Sequence, residues 1–249
     1  MNKKIAALLA TAGLLSVTAP TEAATIPVFG WSGGFTTCFN SCFASVPGSG
    51  GNLIEPTPAG YQAPGLGFNT QMVWNYDGGN PAGPATFSVS GLPAHSSLNL
   101  GFLLAIIDSW DGSTPAGGTT SPDYLNISVD GVLVYSQTYD NFLTSDQSAS
   151  TANQLSFGSN LGFNPGWNDS AYDFTGVNAL LNIPHTASSA TVGFFASGAG
   201  WQGGGDESFG LDKITMSINT ADQVPEPGSL ALLGLGLATL AARRRSAKA

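Results

Sequence analysis

A tight turn between two strand-like runs is the feature that most limits what this chain can fold into. Tyr124 to Val129 alternates polar and apolar residues, Asp130 and Gly131 follow, and Val132 to Tyr135 forms a second strand-like run. An Asp-Gly pair favours a type I′ turn, because both central positions of that turn need a positive φ, and such a turn joins antiparallel strands. The sequence therefore predicts a β-hairpin over residues 124–135.

Short apolar runs separated by turn residues recur along the chain, and none of them has helical periodicity. Gly, Asn, Ser and Thr are frequent between residues 25 and 222, whereas the helix-forming residues Glu, Lys and Arg are nearly absent. That composition suits short strands joined by turns. Further strands are predicted over residues 72–76, 85–89, 97–107, 190–196 and 214–218.

These strands predict an all-β fold for the central region of the chain. About 200 residues are enough for one substantial core, and short strands with frequent turn signals are typical of an antiparallel β-sandwich. We therefore expect residues 25–222 to form a single β-sandwich domain of the jelly-roll type. We assign no strands to residues 140–182 and interpret them as an insertion or a long connection.

Charge is distributed unevenly along the chain. The net charge is −9, but six of the seven basic residues lie in the terminal segments, which leaves Lys213 as the only base between residues 25 and 222. Fourteen of the sixteen acidic residues lie in that same region. Nucleic acids and anionic membranes are bound through Lys and Arg. The composition therefore excludes nucleic-acid binding, and it favours the attraction of divalent cations.

Residues 1–24 have the layout of a secretory signal peptide. A basic start precedes an apolar stretch from Ile5 to Val17, and small residues end the segment. The apolar stretch is too short for an uncleaved anchor helix. We expect export of the chain, with cleavage after Ala23 or Ala24.

Residues 223–249 form a second terminal segment, built from three parts. The first part is the sequence Pro225, Glu226 and Pro227. Its prolines interrupt any strand or helix, because they fix φ and lack an N–H donor. An apolar run from Leu230 to Ala242 follows, which is short for a membrane-spanning helix. A basic cluster then holds that end of the helix on the cytoplasmic side. The cluster consists of Arg243, Arg244 and Arg245.

This three-part segment resembles the PEP-CTERM sorting tail of Gram-negative bacteria that make exopolysaccharide. The parts stand in the family's order, from the Pro-Glu-Pro at residues 225–227 to the arginines at residues 243–245. The resemblance implies that an exosortase-type membrane protease processes the tail during export. It also implies attachment to the membrane through the C-terminal helix before processing, and a cell-surface or extracellular location afterwards.

Two internal blocks carry a second resemblance. Ile107–Gly112 reads IDSWDG, and Gly203–Ile214 reads GGGDESFGLDKI. The pair is similar to a family of secreted bacterial β-sandwich domains that have IDSWDG after one long strand and DESWG(I/L)DN before the last strand. Phe209 stands where that family has Trp, and Lys213 stands where it has Asn. The resemblance implies the same type of domain over residues 87–218.

The densest carboxylate clusters of the chain lie in and near these blocks, at strand ends and turns. Ca²⁺ accepts about six to eight oxygen ligands in irregular arrangements, so carboxylates from several loops can build a site for it. The alternative is that these acids only form turns or are solvated. The candidate Ca²⁺ ligands are Asp108, Asp111, Asp123, Asp206, Glu207 and Asp212.

Two of the five tryptophans are candidate ligand-binding residues. Trp167 and Trp201 lie in Gly-rich loops, which makes them the better candidates for exposure among the five. An exposed ring face can stack on a sugar. The alternative for both is burial in the core of the sandwich.

Cys38 and Cys42 are the only cysteines of the chain. In an exported protein two neighbouring cysteines most often form a disulfide, and we expect one here. A metal site would need further ligands, and no His or other Cys lies nearby in the sequence.

The sequence contains no convincing catalytic motif. His95 and His185 lie in similar segments that lead into predicted strands, without a Gly-x-Ser-x-Gly elbow or an evident acid partner. We therefore expect a non-enzymatic protein that binds extracellular polysaccharide or matrix components. The alternatives are a structural or adhesive matrix protein that binds protein partners, and a glycan-processing enzyme.

Overall fold

Two antiparallel β-sheets account for most of the regular structure. The structure, a computed structural model, describes residues 24–220 apart from residues 33–34, 39–40, 46–54, 57–62, 70, 114–120, 164–165 and 177–179. The strands are β1 (Thr25–Ser32), β2 (Phe35–Cys38), β3 (Ser41–Ser45), β4 (Glu55–Pro56), β5 (Gln71–Asn75), β6 (Ala85–Ser90), β7 (Ser97–Asp108), β8 (Tyr124–Val129), β9 (Val132–Thr138), β10 (Gln154–Ser159), β11 (Asp169–Asp173), β12 (Ile183–Pro184), β13 (Ser189–Ser197) and β14 (Glu207–Asn219). Short 3₁₀ turns lie at Ala63–Leu66, Thr144–Asp146 and Thr151–Asn153. The described residues include no α-helix, and no helix among them is long and apolar enough to cross a membrane.

The larger sheet has nine strands, with β7 and β14 at its centre. Its main path runs β10-β11-β7-β14-β1-β2, while β12 pairs with β7, β5 with β14 and β4 with β5. The smaller sheet has five strands in the order β3-β6-β13-β8-β9. The strand pairs are antiparallel throughout. The predicted all-β fold with antiparallel sheets is therefore confirmed.

The predicted hairpin is also confirmed, as β8 and β9 of the smaller sheet. Tyr124 lies opposite Thr138, and Val129 lies opposite Val132. The φ angles at residues 130 and 131 are 50° and 79°, which are the two positive values that a type I′ turn requires.

The main core lies between the sheets, and a second cluster covers the outer face of the larger sheet. Phe102, Leu104 and Ile106 of β7 belong to the main core, and Phe102 packs edge-on against Phe194 of β13 with ring centroids 5.1 Å apart. The residues between them on β7 point to the opposite face, because side chains alternate along a strand. Since both faces are covered, β7 is buried throughout. The second cluster consists of Phe68, Met72, Leu103, Ala105, Ile107, Leu161, Phe163 and Ala171.

Residues 140–182 are not a mere insertion, because they extend the larger sheet. β10 and β11 come from this region, and Ala171 of β11 lies opposite Ala105 of β7. Its apolar residues supply part of the second cluster, including Leu161 and Phe163. Residues 24–221 form one compact unit.

Several expectations lie outside the described residues. The signal peptide and the C-terminal tail with its apolar run are among them. The backbone of Cys38 lies in β2 opposite Phe29, and that of Cys42 lies in β3 opposite Val89, so the two cysteines belong to different sheets. Their side chains are not described, and the disulfide stays a prediction.

Candidate metal centre and ligand groove

Three of the predicted calcium ligands meet at one end of the sandwich. Glu207 begins β14 in the larger sheet, Asp123 precedes β8 of the smaller sheet, and Asp111 lies in the loop after β7. One carboxylate oxygen of each residue lies within 4.8 Å of the other two. The fold thus brings together acids from both sheets that are far apart in the sequence.

Backbone hydrogen bonds hold one oxygen of each buried carboxylate. The Asp111 N–H donates to Asp123 Oδ2 at 2.8 Å, and the Gln202 N–H donates to Glu207 Oε2 at 2.7 Å. Asp123 and Glu207 are both fully buried. Their second oxygens, Oδ1 and Oε1, are buried and have no hydrogen-bond partner among the described residues apart from the contact between the two carboxyl groups themselves. Each carboxylate therefore keeps one oxygen for a further partner.

The loop after β7 is fixed to its neighbours by several hydrogen bonds. Asp108 ends β7 with a φ of 71°, a conformation that aspartate tolerates because its short side chain can bond locally. The Ser109 Oγ–H donates to the carbonyl oxygen of Asp206 at 2.9 Å, and the Trp110 Nε1–H donates to that of Ser208 at 2.8 Å. These bonds hold the loop that carries Asp111 against the start of β14.

Burial makes the two inner carboxylates easier to protonate. It raises the pKa of Asp123 to about 7, and repulsion from Asp111 and Asp206 acts in the same direction. Burial likewise raises the pKa of Glu207 to about 8, with repulsion from Asp123 added to it. At neutral pH the crowding of negative charge is relieved either by a proton or by a cation.

Further acids surround this group of three. Asp169 accepts hydrogen bonds from the Asp108 N–H at 3.4 Å and the Leu161 N–H at 2.9 Å, and burial raises its pKa to about 7. Asp140 forms an isolated β-bridge with Asp111, and burial also raises the pKa of its carboxyl group. Sequence reasoning missed Asp140 and Asp169, which lie in the region that we had left without strands.

The other three predicted calcium ligands lie outside the group of three. Asp212 lies opposite Leu103, five residues along β14 from Glu207, which is about 16 Å at the usual rise of a strand. Its carboxylate accepts a hydrogen bond from the Asn69 N–H at 2.6 Å, so it holds the segment before β5. Asp108 lies opposite Glu207. Exposed Asp206 accepts a hydrogen bond at Oδ1 from a serine hydroxyl.

The two candidate tryptophans have different environments. Trp167 is exposed over 52% of its surface and so stays a candidate ligand-binding residue. Trp201 is only 5% exposed, which agrees with the alternative of burial in the core. Its ring fills the end of the main core and packs against Trp110 at 5.3 Å, and its Nε1–H donates to the Asp77 carbonyl oxygen.

A groove opens between the edges of the two sheets and forms a second candidate site. Tyr135 comes from β9, Phe174 follows β11, and residues 148–153 belong to the connection between β9 and β10. The cavity has a volume of about 330 Å³. A second cavity of about 360 Å³ shares Ala152 and Asn153 with it and continues along the start of β10.

The lining of this groove combines aromatic rings with neutral polar groups. Tyr135 packs edge-on against Phe174 with ring centroids 6.0 Å apart, and its hydroxyl bonds to that of Tyr139 at 2.6 Å. The Asn153 Nδ2 is buried without a hydrogen-bond partner among the described residues. Asp173 is the only charged residue in the described lining. Such a lining suits a neutral ligand with many hydroxyl groups.

The two histidines have an acid partner that sequence reasoning missed. His95 Nε2 lies 2.7 Å from His185 Nδ1, and His185 Nε2 lies 3.0 Å from Asp130 Oδ2. The remaining ring nitrogen, His95 Nδ1, bonds to the Pro93 carbonyl oxygen at 2.6 Å. Every ring nitrogen of this buried pair is therefore engaged within the protein. The similarity of the two His-containing segments was the sequence signal, since these segments meet here.

Comparison with known families decides the identity of the C-terminal segment. Residues 223–245 match the family model of the PEP-CTERM protein-sorting motif. The chain carries a PEP-CTERM sorting tail. That tail marks an exported protein that an exosortase processes, with a destination at the cell surface or outside the cell. The PEP-CTERM match covers the tail and does not include the β-sandwich.

Two other comparisons add little about the rest of the chain. No curated protein matches the chain. Among solved structures, one match is the structure of infectious bursal disease virus Gt strain, at 13% identity and a TM-score of 0.28. The match covers 90% of this chain and 38% of the viral chain. A TM-score that low supports no conclusion about fold or function.

Proposed function

We propose that this exported protein binds a neutral extracellular polysaccharide, without cleaving it, in the groove between β9 and residues 148–155. The observation that supports this proposal is the lining of the groove. Rings from Tyr135 and Phe174 stand beside the neutral polar side chains of Gln137, Ser148 and Ser150. Apolar faces with a few well-placed polar groups are typical of small-ligand and sugar sites.

The charge of the protein favours a neutral ligand over an anionic one. Lys213 is the only base between residues 25 and 222, and it lies on β14 at the centre of the larger sheet rather than at the groove. An anionic polymer would meet repulsion from the surrounding acids without a compensating cation. A neutral glycan avoids that cost.

Two features support a binding role over a catalytic one. The carboxyl groups with raised pKa values belong to buried residues, which are Asp123, Asp140, Asp169 and Glu207. The hydrogen-bond chain from Asp130 through His185 and His95 ends on a backbone carbonyl, so it offers no nitrogen to activate a nucleophile.

A glycan array probed with the full-length chain tests the proposal. Ala152 is exposed and lines both cavities of the groove, so Ala152→Trp fills the groove without disturbing the core. We expect Ala152→Trp to abolish binding. Gln137→Ala removes a partly exposed polar side chain from the lining and should weaken binding about fivefold. Ala187→Trp, at an exposed position outside the groove, is the matched control and should bind like the wild type.

Three results would overturn the proposal. Binding that survives Ala152→Trp but disappears in Trp167→Ala would place the ligand on the exposed tryptophan instead. Release of shortened glycans would show that the protein is an enzyme. Binding to no glycan, together with self-association in sedimentation experiments, would favour the adhesive alternative.

Adhesion through protein contacts is the second candidate function, and one observation favours it. Val132 and Leu133 of the β8–β9 hairpin are 67% and 54% exposed, and Phe142 and Leu143 after β9 are 47% and 52% exposed. Clusters of exposed apolar side chains commonly mark contact surfaces. Replacement of Val132 and Leu133 by Ser should abolish self-association under this alternative and leave glycan binding unchanged under the first proposal.

A further inference from the structure

We propose that Asp111, Asp123 and Glu207 bind one Ca²⁺ ion that fastens the two sheets together. The site is separate from the groove, and the inference does not depend on glycan binding. Asp123 immediately precedes β8 of the smaller sheet, and Glu207 is the first residue of β14 of the larger sheet. An ion held by both would therefore connect the sheets at this end of the sandwich.

The two buried carboxylates carry the argument, because each has an unused oxygen. A buried oxygen without a partner costs free energy, and the cost is larger when the group is charged. Asp123 Oδ1 and Glu207 Oε1 are both in this position among the described residues, although both residues are 0% exposed. A cation supplies the missing partner to both oxygens at once.

No base is placed to compensate this negative charge. Lys213 is the only Lys or Arg between residues 25 and 222. It lies six residues from Glu207 along β14, or about 20 Å at the rise of a strand. Buried charges are normally paired with an opposite charge or bound to a metal ion, and no side chain of this domain supplies the opposite charge at this site. A bound cation performs the same role.

The donor set favours Ca²⁺ over other divalent ions. The described group contains carboxylate oxygens alone, which suit hard cations, whereas Zn²⁺ prefers imidazole and thiolate ligands. Mg²⁺ demands a near-octahedral shell and gives up its water reluctantly, while Ca²⁺ accepts irregular sites with mixed protein and water oxygens. Acids from three separate segments form an irregular site.

Terbium luminescence offers a local test, because Tb³⁺ replaces Ca²⁺ at oxygen sites and is excited by a nearby indole ring. Trp110 adjoins Asp111 and packs against Trp201. We expect Tb³⁺ added to the full-length chain to emit on tryptophan excitation, and Ca²⁺ in excess to remove the signal. Mg²⁺ should compete at least tenfold more weakly. In Asp123→Asn and Glu207→Gln, we expect affinity for both ions to fall about tenfold or more.

Thermal unfolding of the full-length chain is a second measurement. The difference in Tm between the wild type and Glu207→Gln should change between Ca²⁺ and chelator. Ca²⁺ at about a hundred times its dissociation constant should raise the Tm of the wild type by about 5–10 °C. Glu207→Gln should unfold at an equal or higher Tm than the wild type in chelator, because a neutral amide can donate to Asp123 Oδ1 and removes the repulsion. The same variant should gain little from Ca²⁺.

Asp173→Asn is the control variant, since it removes one negative charge from a partly exposed site away from the cluster. It should retain the wild-type emission and the wild-type Tm shift. Equal Tm values for the wild type in Ca²⁺ and in chelator would overturn the proposal. So would Tb³⁺ emission that is unchanged in both Asp123→Asn and Glu207→Gln, because the ion would then be bound elsewhere.

Discussion

Asn141 is the residue that holds the acidic end of the sandwich in place. Its side chain is fully buried, and its Nδ2 donates toward the carbonyl oxygens of Ile106 at 3.2 Å, Asp108 at 2.6 Å and Asn168 at 3.1 Å. It thus joins the end of β7 to the segment before β11. Nothing in the sequence distinguishes it, because an Asn next to Asp in a polar stretch reads as an ordinary turn residue.

We predict that Asn141→Asp, which is nearly isosteric, lowers the free energy of unfolding by about 3 kcal/mol or more. The substitution replaces a donor with a charged acceptor that faces three carbonyl oxygens, and an unpaired buried charge is among the costliest changes in a protein. Urea unfolding of the two full-length chains measures the difference. Asn182→Asp adds the same charge at an exposed position and should change stability by less than about 0.5 kcal/mol. Equal effects of the two substitutions would contradict this role.

At the level of strands, the turn of the β8–β9 hairpin connects to both histidine segments. Asp130 Oδ1 accepts a hydrogen bond from the Thr191 N–H at 2.8 Å, and Oδ2 accepts one from His185 Nε2 at 3.0 Å. With the His95–His185 contact and the bond to Pro93, the four ring nitrogens make three hydrogen bonds. Asp130 thus fixes one end of a chain of hydrogen bonds that runs through both rings to the Pro93 carbonyl oxygen.

Asp130→Asn should therefore destabilise the protein although Asn suits the turn equally well. We expect the free energy of unfolding to fall by about 1–2 kcal/mol, because a neutral amide replaces the carboxylate that contacts both the Thr191 N–H and His185 Nε2, and hydrogen bonds to a carboxylate are the stronger ones. Chemical unfolding is the measurement. Asp173→Asn keeps an acceptor for the Thr175 N–H and should leave stability within about 0.5 kcal/mol of the wild type. An unchanged stability in Asp130→Asn would show that the carboxylate does not hold the turn to the histidine segments.

Strands with a strong alternating or apolar pattern were predictable, and those with a mixed pattern were not. β7 was expected over residues 97–107 and ends at residue 108, because an unbroken apolar run is typical of a strand buried on both faces. β14 was expected only from residue 214 but begins at Glu207. Its first half alternates Phe209 and Leu211 with small and polar residues, and the preceding glycines made the block look like a turn.

The set of acids in the candidate site was only partly predictable for a related reason. Asp111, Asp123 and Glu207 were all proposed from the sequence, but Asp212 was proposed with them and lies along the strand instead. Sequence spacing shows that acids stand at strand ends, whereas strand register decides which ends meet. β1 to β3 were missed as well, since Gly, Pro and Asn in that region gave no clear period.

At the level of the whole molecule, buried acids make stability depend on pH. Asp169 is fully buried, and burial with repulsion from Asp108 raises the pKa of its carboxyl group to about 7, against about 3.9 in an unfolded chain. Between these values the folded protein keeps a proton that the unfolded chain has released. The free energy of unfolding therefore falls as the pH rises from about 4 to about 7, by at most about 1.4 kcal/mol per pH unit.

Asp169→Asn should flatten this slope, because an amide does not titrate. We expect the variant to be less stable than the wild type at low pH, since it loses an acceptor for one of the two N–H donors, and to lose less stability as the pH rises. Urea unfolding between pH 5 and pH 8, in chelator, measures both slopes. Parallel lines for the variant and the wild type would show that Asp169 does not titrate in this range.

The two ends of the described domain lie side by side, and this arrangement has a mechanical consequence. The Ala24 N–H donates to Thr220 Oγ1, and the Thr220 N–H donates to the Ala24 carbonyl oxygen, both at 3.0 Å. Thr25 of β1 lies opposite Asn219 of β14. Thr220 continues directly from β14, which has β7 on one side and β1 on the other. Because β14 is an interior strand, a pull on Thr220 that is directed along β14 must shear two ladders of hydrogen bonds together instead of unzipping them one at a time. The C-terminal side of the domain, from which the sorting tail continues, is thus the end of a strand that is paired on both sides.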